Sequence, residues 1–215
     1  MLKIMEKEII KIQIALFFKN VFVGNFEEIS LNVKEKFGPS KGTQLLNVPS
    51  LAPEDIPRLI LNYDNYSVQF SKNRFDIFLN DVELAKEKIL VISQILSDRF
   101  EINFGRIGFV KTFFSSNTDY PRGLIIPEKI EGLKISELNI RINIEKKFLD
   151  FNCNDIQSVA NGKVTKDVEK ITKNGLIITR DINTMNDDLM KNVFTKEQVI
   201  ELLGLFDLEA DKLIV

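Results

Sequence analysis

The chain opens with apolar and polar residues alternating at a period of two. Across residues 8–18 the apolar positions include Ile10, Ile12, Ile14 and Leu16. Such alternation is typical of a strand with one buried face. Residues 58–80 repeat the pattern, with Asp64-Asn65 and Lys72-Asn73 at the places where two-residue turns belong. We therefore predict a first strand and, further along, a meander of three antiparallel strands.

Three other segments have the 3.6-residue period of amphipathic helices. The first follows Asn25, which is a good capping residue, and stops at Gly38. The second follows Asn80 and the third follows Thr195, each with Glu or Gln three residues later, as in a capping box. Residues 38–57 contain four prolines and no sustained period, so we predict a loop there.

The second half of the chain repeats the predicted element order of the first half, with an insertion in place of the first helix. The string EINFGRIGFVKTFFSS predicts a strand, an insertion follows, and Asn161-Gly162 and Asn174-Gly175 predict the hairpin turns of a second meander before the last helix. Because hairpins dominate the connections, we predict an α+β fold with a mainly antiparallel sheet. We expect one compact domain over residues 1–215. The element order leaves open that residues 1–100 and 101–215 are pseudo-repeated halves.

The composition narrows the classes of function. The 215 residues include 29 Lys plus Arg and 31 Asp plus Glu, and the formal charge of −2 lacks the basic excess of a non-specific nucleic-acid or membrane binder. The chain has no histidine, which excludes histidine-based catalysis and argues against the usual zinc sites. A single cysteine, Cys153, excludes an intramolecular disulfide. With no signal-peptide pattern or apolar stretch of membrane-spanning length, we expect a cytoplasmic protein.

One short motif is suggestive of phosphate binding. In the string GPSKGT, Lys41 precedes Gly42, and no helix pattern begins at Thr43. A phosphate-binding loop needs the glycine before the lysine and a helix immediately after, because the helix amides bind the phosphates. We therefore predict that Gly38 stops a helix and that the motif does not bind phosphate.

A second motif, Glu145-Lys146-Lys147, contains the Glu-x-Lys element of metal-dependent nucleases. In that chemistry a pair of carboxylates holds Mg²⁺ and the lysine polarises the attacking water. Asp119 lies upstream and would supply the second carboxylate. Any solvated strand face gives the same alternation, so catalysis by Asp119, Glu145 and Lys147 with Mg²⁺ is an alternative hypothesis. The acidic run from Asp181 to Asp188 lacks the glycine and glutamate of a calcium loop.

Apolar residues outside the predicted core stripes favour an interaction surface. They are Leu90 on the second helix and Leu205 and Leu208 on the last. Contiguous exposed apolar surface usually marks an interface. Our main hypothesis is a non-enzymatic module without a cofactor, which binds a protein partner or assembles into an oligomer. A nuclease or nucleic-acid-processing accessory protein is the alternative, and a small-ligand pocket between helices and sheet is the third possibility.

Basic residues from several predicted elements raise the question of an acidic partner. They are Arg74, Arg99, Arg106, Lys111 and Arg180. They would form a nucleic-acid or acidic-partner surface only if the fold brought them together. Ordinary solvated charge is the other interpretation, and the sequence leaves both open.

Three strings carry a resemblance to a known family. They are PRLILNYDNYSVQFSKNRFDIFLN, then FGRIGFVKTFF after the central helix, and LIITRDIN before the last helix. In these strings and in the order of its elements, the chain resembles a sporadically distributed bacterial family of unknown activity. The resemblance implies an accessory protein in a mobile or defence-related context, and it assigns no functional residues.

Overall fold

The computed structural model describes residues 7–116, 139–166 and 171–212. Within these residues the chain forms nine strands, three α-helices and a short 3₁₀ turn at Asn186–Asp188. The strands are β1 (Glu8–Phe18), β2 (Gly42–Leu45), β3 (Leu59–Asn62), β4 (Ser67–Phe70), β5 (Arg74–Leu79), β6 (Phe104–Ser115), β7 (Asn139–Phe148), β8 (Phe151–Lys166) and β9 (Ile171–Thr184). The helices are α1 (Phe26–Phe37), α2 (Val82–Phe100) and α3 (Lys196–Ala210). None of the helices in the described part of the chain has the length and hydrophobicity to span a membrane.

All nine strands belong to one antiparallel sheet, in the order β2-β3-β4-β5-β1-β6-β9-β8-β7. The predicted α+β class with a mainly antiparallel sheet is confirmed. The three strands predicted within residues 58–80 are confirmed as β3, β4 and β5. The prediction of a loop over residues 38–57 is wrong in part, because that segment contains the additional strand β2. Its side chains are mostly exposed, so no burial period marks it in the sequence. Pairing of its backbone with β3 holds it in the sheet.

The two halves of the sheet meet at β1 and β6. These strands pair antiparallel from Glu8 opposite Phe114 to Phe18 opposite Phe104. In each half the first strand also pairs with the last strand of the following meander, β1 with β5 and β6 with β9. A duplicated unit would produce this arrangement, and the pseudo-repeat itself stays a prediction.

The Asn-Gly hairpin turns of the second meander were predicted at the wrong positions. Gly162 and Gly175 face each other inside the β8–β9 ladder, which continues beyond them to Lys166 opposite Ile171. A Cβ at Gly162 would overlap the side chain of Ile177, so close packing rather than turn geometry requires glycine there. The turn between β7 and β8 is at Leu149-Asp150, where Leu149 has a φ of 52°.

The three helices cover one face of the sheet. A single apolar cluster joins the inward residues of β1 to all three helices; its members include Ile12, Ile14, Leu16, Ile29, Ile89 and Phe206, each fully buried. Helix starts follow the predicted chemistry, with Asn25 capping α1 and a full Thr195–Gln198 capping box on α3. Asp81 rather than Asn80 caps α2. The opposite face of the sheet, which we call the open face, has no helix of the described residues against it.

A buried ion-pair network fixes α3 to the sheet. Arg180 on β9 donates three hydrogen bonds to the Asp155 carboxylate on β8, two from Nη2 at 2.6 and 2.7 Å and one from Nε at 3.2 Å. Both side chains have no exposed surface. Lys146 on β7 joins Asp155 to Glu209 of α3 at 2.7 and 2.6 Å. These pairs join the covered face to the helix by charge as well as by apolar contact.

Removing the Asp155 charge should destabilise the fold strongly. Asp155→Asn leaves Arg180 buried without its counter-ion, and we expect a loss of about 3–5 kcal/mol in the free energy of unfolding, measured by urea denaturation. Lys147→Ala is the matched control, because Lys147 and Asp150 form an exposed pair at 3.7 Å. It should cost less than about 1 kcal/mol. Equal effects of the two variants would contradict the structural role of the network.

Candidate functional site

The register of the sheet places a row of short side chains across the middle of the open face. Asp76 on β5 lies opposite Ala15 on β1, which lies opposite Gly108 on β6. Gly108 in turn lies opposite Asn183 on β9. Paired residues of neighbouring strands point to the same face. Ala15 and Gly108 therefore leave a depression at the junction of the two halves.

This depression is a cavity of about 260 Å³, which we call the central pocket. It is lined by Gln13, Ala15, Phe17, Arg74, Asp76, Arg106, Gly108, Val110, Asp181 and Asn183. The lining comes from four adjacent strands, β5, β1, β6 and β9. A site built on strands in the centre of a sheet is rigid, which favours defined binding geometry.

Asp76 is the most buried acid of the central pocket, with 5% of its surface exposed. Its carboxylate accepts one bond from Gln13 Nε2 and one from Arg74 Nε, each at 2.9 Å. Burial raises the pKa of Asp76 above its ordinary value, and the bonds from Arg74 and Gln13 only partly offset this effect. The pocket therefore holds a carboxylate whose charge the surroundings do not fully compensate.

Arg106 lies across the pocket from Asp76 and has no carboxylate hydrogen-bonded to it among the described residues. Its guanidinium donates to the backbone oxygen of Thr184 and to Asn183 Oδ1, at 3.0 and 2.9 Å. Burial lowers the pKa of Arg106; the negative charge of Asp181 raises it, and Arg74 lowers it further. Arg106 remains charged at any physiological pH, since an arginine pKa lies far above 7.

Phe17 holds the two guanidinium groups in place. It pairs with Arg74 on one neighbouring strand and with Arg106 on the other. The guanidinium carbons lie 5.3 and 4.5 Å from the centre of its ring. Such cation–π contacts stabilise a cation whose water shell has been partly removed.

Several donors of the pocket have no acceptor in the described part of the chain. In the guanidinium group of Arg74, only the Nε atom makes a hydrogen bond within the described residues, to Asp76. Arg106 uses its Nε and one terminal nitrogen, so its other terminal nitrogen has no protein acceptor within the described ranges. By contrast, Asn183 both accepts from Arg106 and donates to Asp181, at 3.0 Å for the latter. The arrangement therefore suits a ligand that brings acceptors.

The residues of the Glu-x-Lys element lie at the far edge of the same face. Glu145 and Lys147 are exposed on the outer strand β7. They line an open cleft of about 680 Å³, which we call the edge cleft, together with Lys146, Asn152, Met185, Asp187, Asp188 and Lys191. Asp119 lies outside the described residues. Within the described ranges no group of three or more Asp, Glu, Cys or His side chains is placed to hold a metal ion.

The three interface leucines differ in exposure. Leu208 has 65% of its surface exposed, whereas Leu90 and Leu205 are half-buried. Leu208 is thus the only one of the three leucines that is freely accessible on the described surface.

Of the predicted basic group, the structure brings Arg74 and Arg106 together in the central pocket, while Lys111 and Arg180 lie on the covered face in ion pairs.

The GPSKGT segment behaves as predicted at its start. Helix α1 ends at Phe37, and Gly38 has a φ of 79° and donates its backbone N–H to the oxygen of Lys34. Strand β2 begins at Gly42, so no helix follows the lysine. The geometry needed to bind phosphate at a helix N-terminus is not present in this segment.

Comparison with known proteins leaves the family of the chain undetermined. No protein-family model matches it, and no curated protein is significantly similar to it. The resemblance to the sporadically distributed bacterial family stays a prediction.

Sequence reasoning named Arg74 and Arg106 but missed the other members of the central pocket. Their signal was present in the alternation: Gln13, Ala15 and Phe17 occupy the positions of β1 that do not enter the core. In a central strand those positions lie in the middle of the open face rather than at its rim. Only the strand order reveals that β1 is central, and the sequence does not specify that order.

The pKa of Asp76 should lie above the value of about 3.9 that is ordinary for aspartate. At a pH between the ordinary pKa of the unfolded state and the raised pKa of the folded state, Asp76 binds a proton in the folded state that it does not bind in the unfolded state. The contribution of Asp76 to the free energy of unfolding should therefore rise as the pH falls through this interval. Carboxyl NMR titration measures the pKa, and Asp76→Asn should remove this component of the pH dependence. A pKa at or below 3.9 would show that Arg74 and Gln13 outweigh burial.

Proposed function

We propose that the protein is a non-enzymatic binding module that takes a protein partner on the open face of its sheet. One observation carries the proposal: the helices cover one face, and the centre of the other is a pocket with arginine donors that lack protein acceptors in the described chain. Unused donors on a rigid surface are typical of recognition sites.

The composition of the open face supports a protein partner. Half-buried apolar residues, Phe78, Val110 and Ile156, alternate across the strands with polar Gln13 and Asp181 in one row of the register. Protein interfaces combine an apolar centre with hydrogen-bonding groups in this way. Leu208 offers a second contact point on α3 for a partner or another copy of the chain.

The cytoplasm is the proposed location. Cys153 is buried and unpaired. Burial raises the pKa of its thiol to about 12, so it is not a reactive thiolate at neutral pH. An unpaired structural cysteine fits a reducing compartment.

A metal-dependent nuclease is the second candidate function. It is favoured by one observation, that Asp187 and Asp188 line the edge cleft with Glu145 and Lys147. These acids would replace Asp119 as the second carboxylate of the predicted site. The candidate requires Mg²⁺-dependent cleavage of DNA or RNA that Lys147→Ala abolishes.

Site-specific photo-crosslinking tests the binding surface. We would place a photoreactive amino acid at Thr112 or Thr179, which face each other on the open face. The matched control is Leu31, which is 68% exposed on α1. In the native host, both open-face positions should give the same single protein adduct and Leu31 should give none.

Two crosslinking results would contradict the proposal. An adduct from Leu31 alone, or adducts that do not differ between Leu31 and the two threonines, would place any partner elsewhere. Nucleic acid rather than protein in the open-face adduct would favour the nucleic-acid alternative.

A further inference from the structure

We propose that the central pocket is a carboxylate-binding site, which takes one Asp or Glu side chain of the protein partner between Arg74 and Arg106. This inference rests on the proposed function, because it names the chemistry by which the open face recognises that partner. The unused donors, the local charge and the shape of the pocket floor support it.

The first step is the supply of donors. Arg74 has both terminal nitrogens available, since only its Nε is bonded in the described chain. Arg106 adds one terminal nitrogen. Guanidinium groups bind carboxylates through paired, charge-assisted bonds, which are the strongest hydrogen bonds that side chains make. The bonds to Asp76, Thr184 and Asn183 fix both guanidinium groups before a ligand arrives, so little rotamer entropy is lost on binding.

The second step is the charge of the ligand. The ionisable groups of the pocket are Arg74 and Arg106 against Asp76 and Asp181, so the charges balance. A monoanion gains the arginine bonds with limited repulsion from the two acids. For a phosphate dianion both the attraction to the arginines and the repulsion from the acids double, because Coulomb energy scales with the product of the charges, so a pocket whose own charges balance gives the second charge no net gain. The cost of removing water from the ion rises with the square of its charge and is therefore larger for the dianion. The pocket should therefore prefer a carboxylate to a phosphate.

The third step separates a protein from a nucleic-acid ligand. Single-stranded nucleic acids bind along grooves that are continuously basic, with free aromatic rings for base stacking. On the open face, acidic Asp76, Asp181 and Glu145 interrupt the basic positions. The ring of Phe17 is already covered by the two arginines. A single acidic side chain fits these conditions better than a polyanion.

The glycine at position 108 leaves space on the floor of the central pocket for a ligand. A Cβ at Gly108 would lie 3.7 Å from Phe17, 3.8 Å from Ala15 and 3.9 Å from Asn183, which are ordinary contacts. Gly108→Ala should therefore fold normally while making the floor shallower. Gly108→Leu would extend into the space that the carboxylate needs.

The test uses small probes and the full chain. N-acetyl-glutamate N-methylamide is the carboxylate probe, its glutamine counterpart is the neutral match, and methyl phosphate is the phosphate probe. Titration at constant ionic strength, observed by NMR of the arginine Nε–H groups, gives the dissociation constants. We expect the glutamate probe to bind about tenfold or more tightly than the glutamine probe, as for a hydrogen bond to a charged group. Arg74 and Arg106 signals should shift, and the Arg99 signal should not.

Variants assign the site. Arg106→Gln should remove the preference for the glutamate probe, and Gly108→Leu should weaken its binding. Arg99→Gln is the matched control, because Arg99 is exposed on α2 and contributes nothing to the pocket lining. It should leave binding unchanged. A thermal unfolding curve for each variant identifies any loss of fold. The Arg106→Lys variant keeps the positive charge at this position but loses the paired hydrogen bonds of a guanidinium group.

The outcomes are distinguishable from those of the crosslinking experiment. Equal binding of the glutamate and glutamine probes, or tighter binding of methyl phosphate, would overturn the carboxylate site. If the open-face crosslink persisted in that case, the proposed function would stand. If glutamate bound as expected but no open-face crosslink formed, the proposed function would fail and the pocket would be a site for a free carboxylate.

Discussion

The pairing of β1 with β6 is the constraint on which the rest of the structure depends. It joins two meanders into one sheet, and it places Ala15 opposite Gly108 at the junction. Because paired side chains point the same way, two short residues at one position make a depression that neither strand would make alone. The larger side chains of Phe17 and Arg106 on the next row then form one wall of it.

In the described part of the chain the helices cover one face of the sheet, and this arrangement explains where the polar residues lie. Apolar residues of β1 enter the core, and the alternating positions face the opposite side, where water or a partner must satisfy them. At the rim of a sheet such residues are fully solvated. In the centre, neighbouring side chains remove part of that water, which is why Asp76 is nearly buried although none of the three described helices lies above it. A ligand that restores the lost hydrogen bonds gains more there than at the rim.

The sequence predicts the individual helices and strands better than it predicts how the strands are arranged in the sheet. Alternation in β1, the Gly38 stop and the Thr195 capping box were all recognised from short-range chemistry. Exposed edge residues leave no period, so the alternation does not reveal strand β2. Close packing and turns both favour glycine, so the sequence does not distinguish Gly162 and Gly175 from turn residues. The central pocket was not predictable, since its lining residues meet only through the strand order.

Charges on the two faces of β6 and β9 are satisfied to different extents. On the covered face, Arg180 is bonded to both oxygens of Asp155, and Lys111 is bonded to two acids of α3. On the open face of the same strands, Arg106 is held by neutral oxygens and keeps an unused donor. Burial of charge is tolerated structurally when pairing is complete. The pairing of Arg106 is incomplete by comparison, and this difference between the two faces is the basis for proposing a ligand at the centre of the open face.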